Sequence, residues 1–227
     1  DAVYSRPDIA RNGAYAEFVA VREREIAFKP ATISHVEAAS LPLVSITAWE
    51  SLFTTANLTA GQRVLIHAGA GGVGSIAIQL AKAKGAHVTT TASAAKSALV
   101  KSLGADEVID YRAQDFSKLA RDMDVVFDTV GGETQEKSWT TLKPGGMLVS
   151  ITDRPSEDRA KAEGKRAAFV FIGPNAPILT DLAQMVDLGQ VRPIIGAEYG
   201  LNDTAKAQEA SETGRSTGKI VIYVGNP

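Results

Sequence analysis

The chain of 227 residues contains no cysteine and only three histidines. The lack of cysteine excludes disulfides, thiol nucleophiles and cysteine-ligated zinc or iron–sulfur centres. His35, His67 and His87 do not form a histidine pair with metal-ligand spacing, so we expect structural roles for all three. The sequence therefore predicts no metal site.

The chain also lacks a large excess of charge of either sign and lacks long apolar runs. The 24 basic and 26 acidic residues give a net charge of -2, which argues against a polyanion or a membrane surface as the main partner. No apolar run is long enough to span a bilayer, and no segment resembles a secretory signal. We predict a cytoplasmic protein with no nucleic-acid and no membrane partner.

From Gly61 onward, short apolar runs alternate with longer helical patterns. The runs predict buried strands at 63–67, 87–91, 107–109, 124–130, 146–151 and 168–172. The patterns between and after them predict helices at 72–84, 94–103, 114–121, 133–142 and 176–188. This alternation is typical of an α/β fold with a doubly wound parallel sheet.

The two ends of the chain read differently. Extended patterns at 14–21 and 25–30 precede helical patterns near 33–40 and 45–56. After Pro193, an extended stretch is followed by a helix at about 203–213 and a last strand at 218–224. We expect both ends to pack together in a second, smaller subdomain.

The sharpest motif is the G-x-G-x-x-G formed by Gly69, Gly71 and Gly74, directly after a predicted strand and directly before a predicted helix. In this context the first glycine permits a tight turn, the second lets the backbone approach a pyrophosphate, and the third allows the helix to pack on the strand. The pyrophosphate then meets free N–H groups at the helix N-terminus. The motif predicts a Rossmann dinucleotide-binding site, against the alternative of a glycine turn without a ligand.

The end of the second predicted strand indicates the cofactor. An NAD site places an acidic residue there for the ribose 2′-hydroxyl, but this chain has Ala92, Ser93 and, three residues later, Lys96. A hydroxyl and a cation suit the 2′-phosphate of NADPH, although Ser93 could also be an N-cap and Lys96 a solvated helix residue. NADPH is therefore the predicted cofactor.

Two other families that bind nucleotides with a similar loop fit less well. The missing acid also disfavours an S-adenosylmethionine methyltransferase, and the absence of any Tyr-x-x-x-Lys pair excludes a short-chain dehydrogenase.

Several longer segments carry a family resemblance. They include AASLPLVSITAWESL at 38–52, LTAGQRVLIHAGAGGVGSIAIQLAKAKGA at 58–86, SLGADEVIDYR at 102–112, VVFDTVGG at 125–132 and LKPGGMLVSI at 142–151. The chain resembles a medium-chain dehydrogenase/reductase of the zinc-free NADPH quinone oxidoreductase type. Members carry a longer N-terminal part, so the resemblance implies an N-terminally incomplete member. Residues 1–32 and 193–227 would be a partial GroES-like subdomain, and 33–192 the Rossmann domain.

The resemblance also implies cofactor contacts on the adenosine side. Gly72 and Val73, with the motif glycines, would hold the pyrophosphate. Ser93, Lys96 and Tyr111 would surround the adenosine 2′-phosphate.

Further contacts are implied on the nicotinamide side. Thr47 would approach the nicotinamide ribose, and Phe171 would lie beside the nicotinamide. Val130 and Thr152 fall on loops at the carboxyl ends of strands, where open α/β sheets bind ligands.

The predicted function is NADPH-dependent hydride transfer, without zinc, to a quinone or to the C=C bond of an α,β-unsaturated carbonyl compound. No residue is assigned as catalytic. The alternative is a non-catalytic NADPH-binding sensor or structural protein. The sequence leaves open whether the chain forms a homodimer.

Overall fold

A computed structural model describes residues 1–11 and 13–225 of the chain. The chain divides into two compact units, one formed by Thr47–Phe171 and the other by Asp1–Ile46 with Ile172–Pro227. We refer to them as the central unit and the terminal unit.

The central unit is built on a six-stranded parallel sheet. Its strands are β3 (Arg63–Ile66), β4 (His87–Ala92), β5 (Glu107–Asp110), β6 (Met123–Asp128), β7 (Leu142–Ser150) and β8 (Arg166–Phe169). They lie in the order β5-β4-β3-β6-β7-β8, so the sheet extends from β3 in both directions, as a doubly wound fold does. The predicted fold class is confirmed.

Helices follow the strands. They are α3 (Gly72–Ala83), α4 (Ser97–Ser102), α5 (Phe116–Leu119), α6 (Gly132–Ser138) and α7 (Glu157–Ala162). The helix predicted at 94–103 is split, since a 3-10 turn at Ala94–Lys96 precedes α4. The helix predicted near 45–56 begins as α2 (Pro42–Trp49), and a π-helical segment at Glu50–Thr55 continues it.

The core explains why the strands read as continuous apolar runs. Leu65, Val126 and Leu148 lie side by side in register across the three central strands and are fully buried. Phe116 and Trp139 pack against them in the same cluster. Because successive side chains of a strand point to opposite faces, a sheet covered on both faces needs apolar residues throughout.

In its described residues, 1–11, 13–46 and 172–225, the terminal unit has two small sheets and three complete α-helices. β1 (Val3–Ser5) pairs antiparallel with β2 (Ile26–Phe28), and β9 (Ile195–Gly200) pairs parallel with β10 (Lys219–Tyr223). The helices are α1 (His35–Ala39), α8 (Ala176–Asp187) and α9 (Thr204–Glu212).

The unit boundaries lie at 46/47 and 171/172, whereas the sequence placed them at 32/33 and 192/193. Polar contacts explain why α8 belongs to the terminal unit. The Tyr4 hydroxyl donates to the Leu179 carbonyl at 2.5 Å, and the Asp187 carboxylate accepts from the Thr32 N–H at 2.9 Å. The GroES-like character of this unit stays a prediction.

The first extended segment was predicted wrongly. Residues 14–21 form no strand, and Phe18 is 90% exposed. The β-forming side chains of this stretch have no neighbouring strand in the described residues, and strand preference depends on such a partner. The second extended segment, predicted at 25–30, does contain a strand, β2, and its partner β1 lies nearer the beginning of the chain.

Candidate functional site

The glycine motif forms the connection between β3 and α3. The Gly69 N–H donates to the Thr91 carbonyl at 2.9 Å, which ties the loop to the end of β4. The Gly71 N–H donates to the Ala68 carbonyl, also at 2.9 Å, and closes a tight turn. The loop is therefore fixed by backbone hydrogen bonds before any ligand binds.

The three motif glycines answer different requirements. A Cβ at Gly74 would overlap the Ala68 carbonyl oxygen and lie 2.8 Å from the Gly69 Cα, and a Cβ at Gly69 would overlap the Thr90 side chain. A Cβ at Gly71 would have a single protein neighbour within 4 Å, the Ala68 oxygen at 3.2 Å. Gly69 and Gly74 are thus required by packing, while the space beside Gly71 is open to a ligand.

The start of α3 provides hydrogen-bond donors at this opening. Gly71 is the N-cap, and Gly72, Val73 and Gly74 are the first three helical residues. The first N–H groups of a helix have no intrahelical acceptor, and the helix dipole favours an anion there. The glycine loop and the donors of this 12-residue helix fit a pyrophosphate.

The residues predicted to hold the 2′-phosphate lie at the carboxyl ends of β4 and β5. These strands are neighbours, with Ala92 paired to Asp110. Ser93 follows β4 directly and is buried, and Lys96, the last residue of the 3-10 turn after it, is partly buried. Tyr111 follows β5 and is 55% exposed, with the Arg112 guanidinium carbon 5.7 Å from its ring centroid.

The residues predicted on the nicotinamide side are more dispersed. Val130 follows β6 and is 49% exposed, and Thr152 follows β7 and is also exposed. Phe171, 74% exposed, lies beyond the edge strand β8. Thr47 is buried on α2 and is not at a strand end.

A buried polar network between these strand ends was missed by the sequence analysis. Asp128, the last residue of β6, is fully buried. Its carboxylate accepts from the N–H groups of Val130 and Gly131 at 3.0 and 2.9 Å. It also accepts from the Gln135 amide at 3.0 Å and from the Ser150 hydroxyl at 2.9 Å. An Asp side chain that accepts from the backbone N–H two residues later forms an Asx turn, so Asp128 before Val130 is the local sequence signal for this contact.

His67 lies beside this network, just after β3, and is buried. The Ser138 hydroxyl donates to the Thr134 carbonyl at 2.7 Å, so it accepts from the Nε2–H of His67 at 2.9 Å. The Thr91 hydroxyl accepts from the Ala68 N–H and donates to Nδ1 of His67 at 3.2 Å. Burial lowers the pKa of His67 to about 4, against an opposing effect of the Asp128 charge. His67 is therefore a neutral, fully hydrogen-bonded imidazole.

The described residues hold neither a metal-binding cluster nor a membrane-spanning helix. Over 1–11 and 13–225, no group of three or more His, Asp or Glu side chains is arranged to hold a metal ion. In the same ranges, none of the helices has the length and apolar character needed to cross a bilayer.

Comparison with known proteins places this geometry in a family. Residues 103–222 match the model of the zinc-binding dehydrogenase family. A mitochondrial NAD(P)H oxidoreductase from Danio rerio is 34% identical, over 99% of this chain and 66% of that protein. A 2-methylene-furan-3-one reductase from Solanum lycopersicum is 39% identical, over 93% of this chain and 53% of that protein.

A solved structure shares the fold. The quinone oxidoreductase from Coxiella burnetii superposes with a TM-score of 0.84 at 37% identity, over 90% of this chain and 66% of that one. The chain thus spans between 53% and 66% of the length of these relatives. It belongs to the zinc-binding dehydrogenase family, within the medium-chain dehydrogenase/reductase superfamily.

Proposed function

We propose that the chain binds NADPH along the carboxyl ends of its parallel strands and serves NADPH-dependent reduction of a quinone or an α,β-unsaturated carbonyl compound. The observation that carries this proposal is the β3-glycine loop-α3 unit, in which Gly71 leaves space beside the free donors of a helix N-terminus. The names of the relatives, an NAD(P)H oxidoreductase, a furanone reductase and a quinone oxidoreductase, support the same reaction class.

The choice of NADPH rests on the end of β4. Ala92 is buried and offers no carboxylate for a 2′-hydroxyl, whereas Ser93, Lys96 and Tyr111 lie on the two adjacent strand ends. A phosphate dianion gains charge-assisted hydrogen bonds from such groups. NADH lacks the phosphate and would gain none of them.

The role of the protein in the reaction is to bind and orient. When bound, NADPH would supply a hydride to the electrophilic carbon of the enone and become NADP⁺, and a proton from solvent water would add to the neighbouring carbon. The Gly69–Gly74 loop would hold the pyrophosphate, and Val130 and Thr152 would lie along the nicotinamide half. We propose that reduction proceeds without zinc, because the chain has no cysteine to ligate it.

The test is a titration of the purified chain with NADPH, followed by NADPH oxidation, recorded at the nicotinamide absorbance, with a panel of quinones and enones. Turnover with either substrate class supports the proposal. Binding without turnover across the panel would favour the non-catalytic alternative, and failure to bind NADPH would refute both. A cytoplasmic location stays a prediction, and the Danio rerio relative is named as a mitochondrial protein. The homodimer also stays a prediction.

A further inference from the structure

The Asp128 carboxylate is buried in an unusual setting. Four donors lie within 3.0 Å of its two oxygens, and no Lys or Arg of the described residues lies within ion-pair distance of it. The Thr152 hydroxyl adds a longer contact at 3.5 Å. A carboxylate has about four lone-pair sites, so its hydrogen-bonding capacity is filled. An apolar residue at this position would leave these four donors without their acceptor, at a cost of about 1–3 kcal/mol for each buried group left unpaired.

The donors around Asp128 come from two loops. The Val130 and Gly131 N–H groups belong to the connection after β6, which we call the β6 loop (residues 129–132, including Gly132, the first residue of α6). Ser150 ends β7 and leads into the β7 loop (residues 151–153). Oδ1 of Asp128 therefore holds the first loop, and Oδ2 holds the strand that enters the second.

Asp153 and Gln135 tie the same two loops together. The Gly132 N–H donates to the Asp153 carboxylate at 2.8 Å. The Gln135 amide donates both to Oδ2 of Asp128 and to the Asp153 carbonyl, at 3.0 and 2.9 Å. A single network centred on Asp128 thus fixes both loops relative to each other.

The strand order places these loops on one half of the cofactor path. In a sheet of this order, a dinucleotide binds across the crevice where the order reverses, with one mononucleotide on each side. The glycine loop and the β4 and β5 ends take the adenosine side. The β6 and β7 loops lie on the other side of β3, where the nicotinamide mononucleotide would bind.

We propose that Asp128 is a positioning residue for the nicotinamide half of NADPH. This inference rests on the proposed function. Its carboxylate holds the β6 and β7 loops in the arrangement that presents Val130 and Thr152 to the cofactor, so that binding needs no ordering of the loops. The adenosine half would be held at the ends of other strands, β4 and β5, so its binding would not depend on Asp128.

The decisive variant is Asp128→Asn, which keeps the shape of the side chain. One oxygen can still accept from the Val130 and Gly131 N–H groups, but the amide nitrogen then faces two donors, Gln135 and Ser150. Gln135 can turn its own oxygen toward that nitrogen only by giving up its bond to the Asp153 carbonyl. The two loops therefore lose their common anchor.

The measurement is calorimetric titration with two probes, NADPH and adenosine 2′,5′-bisphosphate, which carries the adenosine half without the nicotinamide. We expect Asp128→Asn to weaken NADPH binding about tenfold, the effect of one charge-assisted hydrogen bond, and to leave the affinity for the bisphosphate within about twofold. A purely structural role would weaken both equally or neither, and either result would overturn the proposal.

The matched control is Thr141→Val, which removes a buried hydrogen bond to the Ser138 carbonyl at the opposite end of β7. It should lower stability without separating the two affinities. If Asp128→Asn does not unfold cooperatively, the same two titrations are made on Ser150→Ala, which removes one donor to Oδ2 of Asp128. A threefold or greater loss for NADPH alone supports the inference, and unchanged NADPH binding overturns it. Wild-type protein that binds neither probe would instead refute the proposed function.

Discussion

Gly71→Val should weaken NADPH binding with little effect on the stability of the fold. Gly71 has φ -78 and ψ 176, an extended conformation that any residue adopts. The Cβ of a substituted residue would meet only the Ala68 oxygen, at 3.2 Å. The two added methyl groups would extend into the space beside the α3 N-terminus, where we place the pyrophosphate.

The two effects of Gly71→Val differ in size. Moving the Ala68 oxygen by a few tenths of an ångström lowers the free energy of unfolding. Replacing glycine raises it by about 0.4–1 kcal/mol, because the unfolded chain then has fewer accessible conformations. We therefore expect the free energy of unfolding to change by less than about 1 kcal/mol. Loss of two charge-assisted hydrogen bonds to the pyrophosphate costs about 3 kcal/mol or more, roughly a hundredfold in Kd.

The assay combines urea unfolding with NADPH titration, and Gly74→Val is the matched control. A Cβ at Gly74 would collide with the backbone of Ala68 and Gly69, which cannot move cheaply, so overpacking should destabilise that variant by about 1–3 kcal/mol. Wild-type NADPH affinity in folded Gly71→Val would refute our placement of the pyrophosphate. A stability loss equal to that of Gly74→Val would refute the claim that the space beside Gly71 is open.

Three more outcomes follow from the site. Paired titrations should show NADPH binding at least about tenfold more tightly than NADH, with Lys96→Ala removing most of that difference and leaving NADH affinity unchanged; equal wild-type affinities would contradict the phosphate pocket. NADPH binding and oxidation should be unaffected by chelators, and one stoichiometric zinc per chain in elemental analysis would contradict this. Because the pKa of His67 is lowered to about 4 by burial, the unfolded state binds the extra proton below about pH 6.5. Stability is therefore lost as the pH falls from 6.5 toward 4, and between pH 7.5 and 5 the wild type should lose about 2 kcal/mol more than His67→Gln in urea unfolding; equal losses would show that His67 is not buried neutral.

The central sheet could be predicted because each of its strands carries its own signal. A strand covered on both faces is a short apolar run, and the runs at 63–67 and 87–91 coincide with β3 and β4 within one residue. The glycine motif is equally local, since turn, phosphate approach and helix packing are all decided within six residues. Its position between β3 and α3 follows from the sequence alone.

The chain ends could not be predicted in this way. β1 is three residues long and pairs with β2, more than twenty residues away, so no local pattern marks it. Residues 14–21 have the composition of a strand, but strand preference measures packing against neighbours rather than an intrinsic backbone tendency. Similarly, α8 belongs to the terminal unit through contacts with Tyr4 and Thr32, which are distant in sequence.

The Asp128 network shows how the apolar core determines the polar site. Asp128 and Ser150 are direct partners in the β6–β7 register, and Val126 and Leu148 are partners two residues earlier. A slip of one residue would turn Val126 toward the wrong face and also separate Asp128 from Ser150. The packing that fixes the buried strands therefore fixes the position of the carboxylate between the two loops, and with it the placement of Val130 and Thr152, each two residues beyond a partner. Sequence patterns locate the strand ends, but only the register between strands determines which polar side chains meet there.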